Sequence, residues 1–303
     1  MRTIAIYFTK PNFDDYPFDD PEYRGGYELI GSMITEKGGR CCIVRGDTYK
    51  GNNEFSRGWE FRDGKYVAID VPIRADIIFN KGRTSWDANA TIINDPQLDT
   101  LCTDKSATYK LFATHSPMTV VVRNAKELEE ALEKIPGELV VTKPLDGEGG
   151  KGVTIGDRAT VTGTVSHYPF LIQQLIDTSG GIPGLTDSRH DLRVIIVEGE
   201  IVGAFLRTPK EGSYVSNVSQ GGSIREVPVD HLPEGAEKIV ADVEKEFSRF
   251  PKHVYSVDMG RDKSGTWKII ELNAQPGLSI ADYKEGSGGK RLFERIVSLL
   301  LRP

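Results

Sequence analysis

The stretch YSVDMGRDKSGTWKIIELNAQPG, residues 255–277, decides the fold. Residues 254–260 read as a strand, 261–265 as a turn-rich tip and 267–272 as a returning strand, which predicts a hairpin folded about residues 264 and 265. Side chains alternate across a strand, so Glu271 and Asn273 share one face while Ile270 and Leu272 share the other. The same turn sets Asp258 opposite Glu271. Two carboxylates and an amide oxygen make a hard oxygen site, the set that Mg²⁺ takes beside nucleotide phosphates. Taken alone, these charges suit an ordinary solvated sheet face equally well. Three oxygen donors at alternate positions, running into Ala274-Gln275-Pro276-Gly277, favour the site.

Composition bounds what such a site can serve. The 303 residues allow two or three lobes, and 38% hydrophobic with 27% charged residues fits a soluble globular protein. A formal charge of −6 argues against a general nucleic-acid binder but allows a local basic cleft for phosphates. Cys41, Cys42 and Cys102 form neither a disulfide framework nor a CxxC metal spacing, which suits a reducing cytoplasm. The histidines at 115, 167, 190, 231 and 253 lack ligand spacing and read as structural or solvent-facing. Residues 4–8 are too short for a signal h-region, and no run approaches a membrane span. A cytoplasmic protein is expected.

Along the chain, residues 2–8 predict a buried strand, 10–24 an acidic Pro-containing loop, 26–37 a helix stopped by Gly38-Gly39, and 41–44 a strand. A hairpin over 61–70 turns at Asp63-Gly64, and 75–79 is another buried strand. This predicts an N-terminal α/β domain over 1–93. A second unit, 94–178, carries helices over 103–112 and 125–134 and strands over 138–143, 153–155 and 169–176. A third, 179–303, carries strands over 191–197 and 201–206, a glycine-containing loop over 210–224, a helix over 234–249, the opening hairpin and a helix over 290–301.

Between two strands of the second unit lies ELVVTKPLDGEGGKGVTI, with Gly147-x-Gly149-x-x-Gly152. A dinucleotide fingerprint needs a helix after the loop, and β-branched Val153-Thr154-Ile155 follows instead. Val153 also stands where a Walker A lysine would be. What remains is a glycine-rich turn between antiparallel strands, whose bare N–H groups can close over phosphates, with Lys143 supplying a point charge. A floppy surface hairpin is the plain alternative, but so many glycines are entropically costly unless backbone must approach something. A protein kinase is excluded. Neither a V-A-I-K lysine nor D-F-G occurs, and Arg189-His190-Asp191-Leu192 only scrambles the H-R-D-L order.

Five segments, TDKSATYKLF around Lys105, VVTKPLDGEGGKGV, LIQQLID, DLRVIIV and DMGRDKSGTWKIIELNAQPG, stand in an order that resembles ATP-grasp enzymes of the glutathione synthetase and alpha-L-glutamate ligase branch, over roughly residues 94–280. The resemblance implies an α/β (α+β) ATP-grasp fold with a preceding N-terminal α/β lobe and nucleotide held between two antiparallel-sheet subdomains. It implies that Lys105 and Lys143 contact nucleotide phosphates beneath a lid containing Gly147, Gly149, Gly150 and Gly152. Gln173, Gln174, Leu175 and Ile176 would line the adenine pocket. Asp258, Glu271 and Asn273 match the family's magnesium ligands, and Arg193 and Arg207 match basic residues near the transferred phosphate. Asn217 and Gly221-Gly222 keep the pattern of the 212–222 segment, whereas Val215 and Gln220 stand where glutamate ligases resemble arginines, so substrate identity is left open.

The activity implied is ADP-forming, ATP-dependent carboxylate–amine ligation through an acyl phosphate, on an amino acid or small peptide, with Mg²⁺ or Mn²⁺. Small-molecule carboxylates and amines would be its partners, without nucleic acid or membrane. Homo-oligomers are common in the resembled branch. Two rivals remain: an ATP-grasp small-molecule phosphotransferase, and an ATP-binding regulatory protein without turnover. No residue stands out as base for the amine.

Overall fold

The computed structural model describes residues 1–84, 89–145, 152–165, 167–214, 216 and 221–302. The chain begins β1 (Thr3–Phe8), α1 (Pro21–Glu36), β2 (Arg40–Arg45), β3 (Tyr49–Gly51), β4 (Glu54–Phe55), β5 (Gly58–Arg62), β6 (Lys65–Ile69), β7 (Ile73–Arg74), β8 (Ile77–Asn80) and β9 (Thr91–Ile93). A six-stranded sheet of order β6-β5-β2-β1-β8-β9 forms, parallel from β2 to β9, with the β5–β6 hairpin antiparallel at its edge. Every residue of β1 is buried, as an interior parallel strand covered on both faces requires. Asp20 caps α1 by accepting from the Glu22 N–H, Pro21 fills the first helical turn, and Tyr27, Ile30 and Ile34 supply its buried stripe. Strands β3, β4 and β7 make a small satellite sheet.

Helices α2 (Pro96–Thr103) and α3 (Lys105–Leu111) follow, then β10 (Thr119–Val122), α4 (Ala125–Lys134), β11 (Leu139–Pro144), β12 (Thr154–Asp157), α5 (Arg158–Thr164) and β13 (Phe170–Gln174). These strands make an antiparallel sheet of order β10-β13-β11-β12. The helix expected over 103–112 is α3, which starts at Lys105; α2 before it was not expected. Asp104 ends α2 and caps α3, its Oδ1 accepting from the Ser106 and Ala107 N–H groups. Leu98, Cys102 and Phe112 pack into the core of the next sheet rather than beneath β10–β13. The strand expected over 169–176 ends at Gln174, leaving Leu175 and Ile176 beyond it.

The remaining elements are β14 (Asp191–Val197), β15 (Glu200–Thr208), β16 (Ser223–Val227), α6 (Glu234–Phe247), β17 (Val254–Arg261), β18 (Trp267–Asn273) and α7 (Gly288–Leu301). The strands form an antiparallel sheet, β16-β15-β14-β17-β18. One face packs on α6 through Ile239, Val243 and Phe247; toward the other, α7 packs against β15 and joins the apolar core of the first sheet.

Asn94 stitches the first sheet to the third. Its Nδ2 donates to the Val254 and Ala274 carbonyls, both at 2.6 Å, and its Oδ1 accepts from the Val254 N–H at 2.8 Å. The residue is buried, so Asn94→Ala strands backbone groups that water cannot reach. We expect a loss of about 3 kcal/mol, read as a fall of roughly 5 °C or more in the thermal midpoint. An unchanged midpoint would refute the assignment.

Candidate active site

The hairpin of β17 and β18 has the predicted register, with Asp258 opposite Glu271 and the turn closed at Gly265 (φ +90°). One feature differs. The register slips between Asp258 and Met259, so that Met259 faces Ile269 and Ile270 is the extra residue of a bulge. Simple alternation put Ile270 on the face away from Glu271; the bulge instead brings it to the same cleft wall. Its carbonyl accepts from the Tyr109 hydroxyl at 2.7 Å and from Lys143 Nζ at 3.4 Å, and Tyr109 also receives Lys143 Nζ at 3.1 Å. Tyr109 therefore ties α3, β11 and β18 together. Its position, four residues after Lys105 on one helix, was the only sequence signal for it.

Strand pairing lays charges in a row across the third sheet. Arg207 on β15 lies opposite Asp191 on β14; Arg193, two residues along β14 on the same face, lies opposite Asp258 on β17; Asp258 lies opposite Glu271 on β18. Arg193 grips Asp258 bidentately, Nε to Oδ1 and Nη2 to Oδ2 at 2.7 Å each. Arg207 Nη2 bridges Asp258 Oδ2 (2.6 Å) and Asp191 Oδ2, and its Nε reaches Asp191 Oδ1 at 3.3 Å. Asp258 and Arg207 are only 3% and 5% exposed, so these are interior ion pairs, not surface ones. Burial acts against the Asp258 carboxylate, but the Arg193 and Arg207 guanidinium groups outweigh it and hold its pKa down to about 2. Burial, reinforced by the negative charge of Asp258, pushes Asp191 up to about 6. Burial likewise opposes the charge on Arg193 and Arg207, and the carboxylates reverse it, raising both. Asp191 was missed as a site residue, although DLRVIIV contains it.

Lys105 completes the row from α3, its Nζ 3.1 Å from Glu271 Oε1. A cleft between the second and third sheets is lined by Lys105, Lys143, Gln173, Gln174, Leu175, Ile176, Asp191, Asp258, Ile270 and Glu271; of the expected site residues Arg193, Arg207 and Asn273 are not in that lining. Val141, Val153 and Ile155 give it an apolar end. The Gln173 amide donates to Thr119 Oγ1 at 2.8 Å, so that side chain is already engaged. Asn273 follows Glu271 on β18, where its Oδ1 accepts from the Gln275 N–H at 2.8 Å. Gly152 takes a left-handed φ of +73° after Pro144 and before β12, and β11 and β12 are antiparallel, as the glycine turn required. Gly147, Gly149, Gly150 and Asn217, with Val215 and Gln220, lie outside the described residues.

His190 serves the scaffold. Its Nε2 accepts from the Arg261 N–H at 3.1 Å, Nδ1 lies 3.1 Å from the Ser188 carbonyl, and burial lowers its pKa. The acidic 10–24 loop is pinned by buried Arg45, which donates to the Lys10, Asp15 and Tyr16 carbonyls. All three cysteines are buried free thiols. Among the described residues no helix is long and apolar enough to cross a membrane, and no group of three or more His, Cys, Asp or Glu side chains gathers as a metal cluster. The candidate oxygen set depends on the Asn273 amide as its third member.

The description "RimK-like ATP-grasp domain" matches residues 102–289. The chain is 28% identical over 190 residues to a probable alpha-L-glutamate ligase of Thioalkalivibrio sulfidiphilus, covering 61% of this chain and 57% of that protein. A protein of the same description from Halorhodospira halophila is 28% identical over 192 residues, covering 61% and 58%. The chain thus spans less than two thirds of these curated relatives. Among solved structures, D-alanyl-alanine synthetase A from Vibrio cholerae superposes with a TM-score of 0.65 at 12% identity, covering 99% of each chain. A RimK domain ATP-grasp protein from Sphaerobacter thermophilus gives 0.60 at 14% identity, covering 99% of this chain and 100% of that one. At such identities the likeness concerns the fold.

Proposed function

Because the chain belongs to the RimK-like ATP-grasp family, we propose that it is an ATP-dependent carboxylate–amine ligase, ADP-forming, acting on an amino acid or small peptide. The observation that carries this is the charge row from Arg207 to Glu271, whose Asp191, Asp258 and Glu271 line a cleft together with Lys105 and Lys143. A carboxylate is a poor acyl donor because oxide would have to leave. When a carboxylate oxygen attacks the γ-phosphorus of ATP, ADP leaves and an acyl phosphate forms. An amine then attacks the acyl carbon, phosphate departs and the amine proton is lost. The first step sets an anion against a polyanion, and the cations of this cleft offset that repulsion.

In this proposal Lys105 and Lys143 hold the phosphates, while Gln174 and the backbone of Gln173, Leu175 and Ile176 meet the adenine edge. Gly147, Gly149, Gly150 and Gly152 form the lid that excludes water. Arg193 and Arg207 stabilise the transferring phosphoryl group and the tetrahedral oxyanion, and Asn217 is assigned to the catalytic set by the family resemblance. Asp258, Glu271 and Asn273 suit a hard divalent cation. The two carboxylates are cross-strand neighbours that both line the cleft, and the Glu271 side chain keeps 32% of its surface open. Bound Mg²⁺ or Mn²⁺ would neutralise phosphate charge. The units 1–93, 94–178 and 179–303 are proposed as preceding lobe, lid subdomain and metal-binding subdomain, and a cytoplasmic setting with small-molecule partners goes with them.

The test is phosphate release from ATP–Mg²⁺ across amino acids and dipeptides. Release is expected only when both a carboxylate and an amine are supplied. Release with a carboxylate alone would favour a phosphotransferase, release of AMP and pyrophosphate would exclude this chemistry, and nucleotide binding without turnover would favour a regulatory role.

A further inference from the structure

The segment 177–190 leaves the nucleotide cleft at Thr178 and returns to it at His190, and both residues line it. Its two ends are tied together, Thr178 Oγ1 accepting from the His190 N–H at 3.1 Å. It is also fastened to the hairpin of β17 and β18. Asp177 Oδ2 lies 2.7 Å from Lys263 Nζ, the Asp177 carbonyl accepts from the Lys263 N–H at 3.0 Å, and Arg261 donates to the Gly181 carbonyl at 3.4 Å. Ile182, midway along the excursion, is buried in the core of the third sheet.

The fixed segment presents Arg189 to Tyr214. The guanidinium carbon lies 4.4 Å from the centroid of the Tyr214 ring, a cation over an aromatic face. Arg189 Nη2 is 3.8 Å from Asp177 Oδ1. Arg189 Nε is buried without a hydrogen-bond acceptor among the described residues, as fits a guanidinium laid against a ring rather than against carbonyls. Tyr214 itself lines the cleft and keeps 39% of its surface open. With one face given to Arg189, the ring meets the cleft with the rest of its surface.

The charges divide the cleft into two ends. Among the described residues lining it, Lys105 and Lys143 are the only lysines or arginines. Lys143 reaches Tyr109 and the Ile270 carbonyl, and Lys105 reaches Glu271, all on α3 and β18. Tyr214, Thr178 and His190 come instead from the segments flanking the β14–β15 hairpin, and burial lowers the His190 pKa. Thr178 also follows directly from the stretch 174–176 expected to meet adenine. An aromatic wall without a cation on the cleft side suits a heterocycle or sugar, whereas phosphates belong with the lysines.

We propose that Tyr214 packs its ring against the nucleoside part of the bound nucleotide, and that Arg189, held on the 177–190 segment, positions that ring. The assignment rests on the ligase reading only in taking the cleft for a nucleotide site.

The probe is ADP with Mg²⁺, titrated calorimetrically into the full chain. Tyr214→Ala should weaken ADP about tenfold, as the loss of one aromatic contact to a base does. Tyr214→Phe keeps the ring and should bind within about twofold of wild type. Arg189→Ala should weaken ADP about threefold. Added to Tyr214→Ala it should cost nothing further, because it acts through the ring. Both side chains are part-exposed, so without nucleotide every variant should melt within about 2 °C of wild type. Wild-type affinity in Tyr214→Ala overturns the proposal, and so does a Tyr214→Phe variant as weak as the alanine one. A midpoint that falls in step with the affinity would show a purely structural role and overturns it as well. Losses that add in the double variant remove Arg189 as the positioning residue. Wild-type protein that binds no ADP refutes the nucleotide reading of the cleft, whereas ADP binding without amine-dependent phosphate release refutes the ligase reading and leaves Tyr214 in place.

Discussion

Glu271→Ala is expected to lower ATP turnover by about a thousandfold or more while the chain stays folded. The side chain keeps 32% of its surface open, faces the cleft, and has the Lys105 ammonium at 3.1 Å as its recorded ion-pair partner. The pair is only part-open, 10% at the Lys105 side chain and 32% at Glu271, so its loss should cost about 1–2 kcal/mol, between the surface and interior limits, and the thermal midpoint should fall by no more than a few degrees. In the proposed reaction the same carboxylate serves in another way, as a ligand for the divalent cation. It is the more accessible of two cross-strand acids, and its neighbour Asp258 has both oxygens occupied by guanidinium groups. Glu271→Gln separates charge from shape. It keeps an oxygen toward Lys105 and nearly the same volume, and should be almost as inactive as the alanine variant. Turnover near the wild-type level in either variant would remove Glu271 from the metal set.

The asymmetry between these two acids bears on what a sequence can disclose. The hairpin was legible because charged residues interrupt apolar strands at period two, and because a Ser264-Gly265 tip fixes the register. What alternation cannot reveal is a bulge. One extra residue, Ile270, turned a predicted core side chain into a cleft residue and gave its carbonyl to Tyr109 and Lys143. Helix α2 was not expected, and the start of α3 was read two residues early because Asp104 passes for an ordinary helix residue until its side chain is seen capping α3. Helix α5 escaped notice for a different reason. RATVTGT has weak helix propensity, and the helix depends on the Asp157 cap and on Arg158, whose guanidinium donates to the Leu132, Ile135 and Gly137 carbonyls. Arg189 and Tyr214 lie on either side of the β14–β15 hairpin in sequence and meet only in three dimensions. Local pattern identified the strands that bear the site; its partners came from tertiary contacts that no local pattern encodes.

Arg207→Ala should cost more stability than any other substitution in the charge row, about 3–5 kcal/mol. Its guanidinium joins two carboxylates, Asp191 and Asp258, each less than a tenth exposed. Without it Arg193 still neutralises Asp258, but Asp191 is left as an interior anion with no cation against it among the bonds seen here. The pH dependence has a definite sign. Asp191 has a folded pKa raised to about 6 from an ordinary value of 3.8, so its contribution to stability is fully present below 3.8 and is lost as pH rises through about 6. Removing Arg207 takes away a group that lowers that pKa, which moves the loss further up the pH scale. The deficit of the variant should therefore be largest at neutral pH and shrink toward pH 5, where Asp191 protonates. Asp258 behaves oppositely in the intact protein: its pKa is depressed to about 2, so its contribution is present above 3.8 and is lost only as pH falls through about 2. Pairing Arg207→Met with Asp191→Leu should recover most of the stability, since a well-packed apolar pair can replace an interior ion pair at little cost, but not the turnover, because Arg207 is proposed to act on the transferring phosphoryl group. Denaturation midpoints at pH 5 and pH 7.5 for the single and double variants, beside their phosphate-release rates, decide the matter. A pH-independent deficit would mean that Arg207 acts by packing alone, and a fully active double variant would take it out of the chemistry.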